Sequence, residues 1–597
     1  MSVNLSPLAG AGWQFFDNDG VILAGGLIYT YAAGSSTPLA TYTTSAGNIA
    51  NANPIQLDSS GRTPSEVWLT AGSTYKFEIK TATGTLIRTW DNISGINDTN
   101  TLAELANSSD PTKGDALVGF RQSNSSGNLP NTIGRTVHQK FQPYIDAHDF
   151  GALGLNADYT TQLQNAINAT PLNGALYLPN GIYQISSQLV INQAITIFSD
   201  NAHNTGTIIC LGCSAFKINK VSNVEIKSMT IAQAVRYTTT PNSYYGIEVP
   251  GDTVNRPYNL LFRDLYIDGF QTAIDTQWMW SSVLDNVESD FGKYGLIANN
   301  LSANNVVTNC SFNGDGTGNA ITLDGSVDPS EGWMINNTLT FNNYYGVYGK
   351  NIAHIYISNC IFDFNYQAGI LLTNDSPHWS ANWGIVNNYI ALNGSTAQVG
   401  IWSTNSVNAA LNIGNMISGN TILAYPGATA LYGIYMEGAQ SNNNVISGNT
   451  LKNFTNNDIR TNGVKNIIIG NNCQSAISFN IDCAAGIVQG NVGTYVQNSL
   501  VLWSGGQRKI TYATVKPASG TWDEGDICLN LQPGYGEPTG WTCTLAGTPG
   551  TWYPFAQVGA TASVGSTPSF VGEIAVVGTT AYIAVGTSTS GDWKQIT

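Results

Sequence analysis

Gly346-Val347-Tyr348, Gly369-Ile370-Leu371-Leu372, Gly400-Ile401-Trp402-Ser403 and Gly433-Ile434-Tyr435-Met436 are versions of one phrase. On the N-terminal side it continues as Gly246-Ile247-Glu248-Val249, Ala273-Ile274-Asp275, Gly295-Leu296-Ile297-Ala298 and Ala320-Ile321-Thr322-Leu323. On the C-terminal side it continues as Asp458-Ile459-Arg460. The intervals between the aliphatic residues are 27, 22, 25, 26, 23, 31, 33 and 25. A polar residue, usually Asn, keeps the same irregular period: Asp264, Asn286, Asn309, Asn337, Asn359, Asn388, Asn420, Asn449, Asn472 and Asn491. Two phrases sharing one period indicate one structural unit laid down about ten times. Such a unit cannot bury a core alone, so units stack. The pattern predicts an all-β solenoid, a parallel β-helix with coils about 4.8 Å apart.

Composition agrees with that class. Charged residues are only 10% of the 597, and glycines number 63. Short strands and many turns favour such a mixture. A net charge of −15 argues against nucleic acid, which requires clustered Lys and Arg. No run is long and apolar enough for membrane insertion, and Met1-Ser2-Val3-Asn4 shows no secretion signal. The sequence has no Ser-His-Asp order, no Gly-rich phosphate loop and no HExxH. Cys210-Leu211-Gly212-Cys213 lacks a second pair, so neither a metal nor a cofactor is expected.

Residues 1–95 read as a small β domain, with runs such as Leu27–Tyr31 and Tyr75–Lys80 bounded by turn residues. Residues 96–147 read as a connector with helical hints at Leu102–Ala106 and Val137–Tyr144. In 148–499, Asp158 precedes a Leu163, Ala166, Ile167 stripe, the mark of a capped helix closing one end of the solenoid. Residues 500–597 hold a duplication. Gly525-Asp526-Ile527-Cys528 matches Gly572-Glu573-Ile574-Ala575, and Gly550-Thr551-Trp552 matches Gly591-Asp592-Trp593. Cys310, Cys360 and Cys473 each follow an Asn of the polar row, where Thr338, Thr421 and Thr450 stand in other coils. They read as small packing residues. Cys528 and Cys543 read as two small buried sites, with a disulfide the less favoured alternative.

These segments carry a resemblance. Gly25-Gly26-Leu27-Ile28-Tyr29-Thr30-Tyr31, Pro38-Leu39-Ala40-Thr41-Tyr42 and Asn51-Ala52-Asn53-Pro54-Ile55 look like the N-terminal virion-binding domain of bacteriophage tailspikes. Asp115–Phe120 resembles the tailspike neck. His148-Asp149-Phe150-Gly151-Ala152 and Ala175–Tyr183 resemble the entrance to right-handed parallel β-helices of the pectate-lyase superfamily. The family often shows Gly-Asp-Gly-x-x-Asp-Asp-Thr there; this chain has Gly154–Thr160 with only part of that pattern. The resemblance implies a homotrimer in the virion, fixed to phage tail proteins by its N-terminal domain. It also implies binding and cleavage of a host capsular polysaccharide or O-antigen, and a C-terminal module that trimerises or binds glycan.

Strand alternation places the aliphatics of the phrase inward and the residues between them outward. The outward ladder is Glu248, Asp275, Ile297, Thr322, Tyr348, Leu371, Trp402, Tyr435, Arg460. Its companion row is Gln277, Asn299, Asp324, Lys350, Thr373, Thr404, Glu437, Asn462. Aromatics among carboxylates and amides suit a sugar groove; a solvated sheet face would be polar without the aromatics. Candidate substrate contacts are Trp278, Trp280, Tyr348, Lys350, Trp402, Tyr435 and Arg460.

Glycosidases need two carboxyls, about 5–5.5 Å apart for retention and about 6.5–9.5 Å for inversion. Glu248 and Asp275 would lie about 5 Å apart at the backbone, and Asp275 and Asp324 about 10 Å. Asp375, in a loop beside His378, Trp379 and Trp383, can pair with Glu437. Asp268 and Asp290 form a separate pair on another strand. Lyase chemistry would need acidic calcium ligands and a base, for which Asp324, Asp328, Glu331 and Lys350 are a faint version. A non-catalytic receptor-binding fibre is the remaining alternative.

Overall fold

A computed structural model of the chain describes residues 3–10, 12–96, 103–202, 206–375, 380–393, 398–405, 412–427, 429–438, 441–475, 481–493, 500–502, 508–534, 537–557 and 563–596. The chain divides into two compact units, Met1–Gln142 and Pro143–Thr597.

The first unit holds a four-stranded antiparallel sheet in the order Ile55–Gln56, Leu27–Ala32, Tyr75–Lys80, Leu86–Ile93. Alternation in Tyr75–Lys80 buries Tyr75, Phe77 and Ile79. Val137–Phe141 is helical, with a capping box between Thr136 and Gln139.

The second unit is a right-handed parallel β-helix. Thirty-four strands from Tyr144–Asp146 to Ile481–Gln489 form one hydrogen-bonded set. One coil shows the plan. A long strand, Tyr345–Lys350, lies on what we call face A. Tyr356–Ser358 follows on face B and Ile361–Asp363 on face C. The next coil returns to face A with Ala368–Asn374, in register with the first strand: Val347 opposite Ile370, Tyr348 opposite Leu371. The helix Thr160–Ala169 buries Leu163, Ala166 and Ile167 against the first coils. Asp158 accepts from the Thr160 amide at 3.0 Å at its start.

The glycine of the repeated phrase has a steric cause. A Cβ on Gly346 would lie 2.5 Å from both the Gly369 carbonyl of the next coil and the Phe362 ring. Stacking at the inter-strand spacing leaves no room there. Gly346→Val is expected to lower stability by roughly 1–3 kcal/mol, read as a fall in the thermal midpoint of the purified protein.

The polar row differs from the sequence reading. Asp264, Asn286, Asn309, Asn337 and Asn359 do sit in left-handed geometry at the B–C corner, with φ of 51°, 55°, 55°, 47° and 54°. Asn tolerates that region better than most residues. Further along, the corner is taken by Asn387 and by Gly419, Gly448, Gly470 and Gly490. Asn388, Asn420 and Asn449 stand one residue later and point inward, with Asn471 rather than Asn472 next in line. Asn388 Oδ1 accepts the Cys360 amide, and from Asn420 on each inward Asn takes two hydrogen bonds on its Oδ1 from the preceding rung. Asn388 donates its amide and Nδ2 to Asn420 at 2.9 and 3.0 Å, and Asn420 does the same to Asn449 at 2.9 and 2.9 Å. The sequence reading merged a corner row and a buried ladder, because the same residue type serves both.

The same slip displaces two groups of packing residues. Cys310, Thr338 and Cys360 share the buried position that Asn388 inherits. Cys473 instead opposes Leu451 in the face C core, and Thr421 and Thr450 lie one residue on, in the face C strands. In the tail, Cys528 and Cys543 are buried, free thiols packed with Trp541 and Trp552. Ala575, Ala584 and Trp593 form the matching second cluster, as the duplication requires.

Candidate functional site: the outward row of face A

Strand pairing aligns the outward row as Lys217, Glu248, Asp275, Ile297, Thr322, Tyr348, Leu371, Trp402, Tyr435, Arg460. The repeat therefore places side chains separated by more than 200 residues in one file. Not all of them meet solvent. Leu371 is 5% exposed, between Tyr348 and Trp402.

Two clusters stand out along the file. At the lower end Glu248 and Asp275 occupy neighbouring strands. Glu248 Oε1 accepts from Lys217 Nζ at 3.1 Å, and its Oε2 accepts from Gln188 Nε2 at 3.0 Å. Both contacts fix the position of the Glu248 carboxylate. Asp275 makes no such contact among the described residues. Burial, and next the charge of Glu248, push its carboxyl up to about 6. A carboxyl raised in this way suits a general acid. Tyr245 borders them, and burial followed by these two charges raises its phenol.

At the upper end, Tyr432 and Tyr435 stack at 4.5 Å between centroids. The Arg460 guanidinium lies 5.9 and 5.7 Å from their rings. Its Nη1 donates to Tyr432 Oη at 3.2 Å and its Nε to Asn462 Oδ1 at 3.3 Å. Trp402 Nε1 donates to Glu437 Oε2 at 2.9 Å. Tyr345 and Tyr348 stack at 5.7 Å two and three coils below. Rings held by hydrogen bonds and stacking present fixed apolar faces with polar rims, which suits pyranose rings.

Segment 144–371 matches the rhamnogalacturonase A/epimerase, pectate lyase-like family model. It covers the capping helix and the coils from Tyr144 to Leu371, including Glu248 and Asp275. Solved structures similar to the chain include the Dettilon tailspike protein, with 15% identity, 60% of this chain and 68% of that one covered, and a TM-score of 0.41. A double mutant of the tailspike of E. coli bacteriophage HK620 gives 12% identity, 64% and 78% coverage, and a TM-score of 0.44. The A-module of the Azotobacter vinelandii mannuronan C-5 epimerase AlgE4 gives 16%, 59%, 99% and 0.36. No curated protein matches the sequence.

Several sequence-predicted residues take other roles. Trp278 is 5% exposed with a φ of 57°; it is a wall residue under Arg256, not a surface ring. Trp280 is partly exposed, and its Nε1 is spent on the Leu301 carbonyl at 2.8 Å. Asp324 stands two coils above Asp275 but also two residues further along the strand. Their backbones are therefore about 12 Å apart, more than alignment in one row would give. Asp324 also accepts from the Ser326 amide at 2.8 Å and from its hydroxyl, a turn-forming role. Asp375 is bound to Lys350 Nζ at 2.8 Å and Asn351 Nδ2 at 2.7 Å. Trp383 is a core residue donating to the Ile352 carbonyl. His378 and Trp379 lie outside the described residues. No group of three or more possible metal ligands occurs among the described residues, Asp324, Asp328 and Glu331 included.

The structure adds Gln188, Lys217, Tyr245 and Arg256, which the sequence reading did not single out. Arg256 lies 5.2 and 5.1 Å from the Trp278 and Trp280 rings. One signal was legible. Tyr245-Gly246, Tyr294-Gly295, Tyr345-Gly346 and Tyr432-Gly433 repeat a Tyr just before the phrase. The following Gly and aliphatic both turn inward, so this Tyr shares the outward side with the residue three positions on.

Proposed function

We propose that this chain is a phage tailspike that cleaves a bacterial surface polysaccharide by endo-glycosidic hydrolysis, with Asp275 as acid and Glu248 as nucleophile. The observation that carries this reading is the Glu248–Asp275 pair on adjacent strands, with Glu248 anchored by Lys217 and Gln188 and Asp275 buried and raised to about 6. Neighbouring strands, about 4.8 Å apart at the backbone, suit two carboxyls near the roughly 5–5.5 Å separation of retaining enzymes. In the first step Asp275 gives its proton to the glycosidic oxygen, the C1–O bond breaks, and Glu248 bonds to C1. In the second, Asp275 takes a proton from water, which displaces Glu248. Lys217 and Gln188 hold Glu248 in place. Trp402, Tyr435, Tyr348, Lys350 and Arg460 bind the polymer along the file. The resemblance of residues 1–95 to a virion-binding head supports attachment to the tail, and with it a homotrimer.

The test is incubation of the protein with host capsule or lipopolysaccharide. New reducing ends with retained anomeric configuration, read by proton NMR, are expected. Absorbance from a new double bond would replace hydrolysis with lyase chemistry, and retention of polymer without shortening would leave a receptor-binding fibre. Trp402→Ala and Tyr435→Ala are each expected to raise KM about tenfold with kcat little changed, a loss of roughly 1.4 kcal/mol of uniform binding.

A further inference from the structure

A second groove lies on the corner where face C turns toward the next face A strand. Its floor is the outward row at the end of the face C strands: Asp290, Asn313, Phe341 and Asp363 in register. The cleft at its lower end has a volume of about 590 Å³ and is walled by Tyr237, Phe291 and Phe341. None of these residues belongs to the face A file.

Three observations point to a ligand. The first is polar. Asn313 Nδ2 donates to Asp290 Oδ1 at 2.7 Å, which fixes the amide with its oxygen the other way. That buried Oδ1 has no partner among the described residues. Asn313 and Asp290 line the cleft together with Asp315 and Asn342, a set of polar side chains along it. Asp290 Oδ1 also accepts the Phe291 amide at 2.9 Å.

The second is backbone conformation. Phe291 and Phe364, at the first corner residue of their coils, have φ of 51° and 52°. Gly269 and Asn342 occupy that corner in other coils, with φ of 77° and 57°. A bulky side chain in left-handed geometry is costly and persists where the surroundings hold it. The Arg236 guanidinium, 3.9 Å from the Phe291 ring, is anchored by two bonds to buried Asp268 at 3.0 and 2.8 Å.

The third is the continuity of rings. Phe341 meets Phe364 at 5.5 Å and Phe364 meets Tyr425 at 5.3 Å. The contacting rings climb from the Phe341 coil to the Tyr425 coil, three strand spacings or roughly 14 Å.

We infer that this groove is a second glycan-binding site, taking a neutral, hydroxyl-rich oligosaccharide. Apolar sugar faces stack on Phe291, Phe341 and Phe364. Hydroxyls donate to Asp290 and Asp315, whose carboxylates line the cleft. Acceptors dominate the polar lining, and its carboxylates repel uronic acids and phosphates. This inference does not rest on the face A chemistry.

The test is an array of bacterial capsular and O-antigen oligosaccharides probed with the intact protein, Asp290→Asn, Phe341→Ala and Trp402→Ala. Neutral glycans are expected to be retained by the wild type and by Trp402→Ala, and to lose at least tenfold in signal with both groove variants. An empty array, or signal unchanged in both groove variants, overturns the inference. Signal lost only in Trp402→Ala assigns binding to face A and likewise overturns it. So does a Phe341→Ala protein whose oligomeric state, read by sedimentation, changes while its glycan signal does not.

Discussion

Asp275→Asn is expected to lower kcat by about 10²–10⁴, the usual contribution of a positioned general acid, with KM little changed. The measurement is release of reducing ends from the host polysaccharide. In the wild type, activity should fall as pH rises through about 6, because the acid must be protonated and burial with the Glu248 charge sets its pKa there. The same shift fixes a stability effect of known sign. The folded state holds the Asp275 proton to about pH 6 and the unfolded chain only to about 3.8. Between those values the folded state binds more protons, so stability falls as pH rises and the loss is complete above about 6. Asparagine removes that loss, roughly 3 kcal/mol by the size of the shift. The variant should therefore melt higher than the wild type at pH 8 and alike at pH 3.5. Glu248→Gln should lower the Asp275 pKa by removing the neighbouring charge, read from its carboxyl signal by carbon-13 NMR. An active Asp275→Asn enzyme would move the chemistry elsewhere and leave the stability result standing.

Asn420→Leu should cost on the order of 4 kcal/mol, although the two side chains are alike in size. Leucine leaves the amide and Nδ2 of Asn388 without an acceptor and removes one donor each from the Asn449 Oδ1 and the Ile385 carbonyl. Buried groups stripped of partners cost about 1–3 kcal/mol each. Hydrogen exchange should show the loss spreading along the coils on either side, since stacked repeats are coupled to their neighbours. Asn359→Ala, in the exposed corner row, should cost only about 1–2 kcal/mol, the price of left-handed backbone for an ordinary residue. Equal losses in the two variants would mean that the ladder adds nothing beyond corner geometry.

These contrasts show where reading residues in order succeeded. The face A register was legible because period-two alternation and the Gly-aliphatic phrase both report the same fact. Inward positions must be apolar, and the preceding residue must fit under the next coil. Cys310 and Cys360 were legible as packing residues by the same logic. The Asn row was not, since an amide suits both a left-handed corner and a buried ladder, and a slip of one residue exchanges them. Trp278 failed for a related reason. Its backbone conformation turns the ring into the wall, and no local pattern announces that.

The sequence by itself determined the repeat, the file of outward side chains and the candidacy of Glu248 and Asp275, because strand periodicity is a local property. Only the tertiary structure decided which of the two carboxyls is anchored by neighbours and which is buried. That choice depends on Lys217, 31 residues before Glu248, on Gln188, 60 before it, and on how deeply Asp275 is buried. Solenoid stacking brings such groups together across whole coils, and desolvation and Coulomb terms act through space, not along the chain.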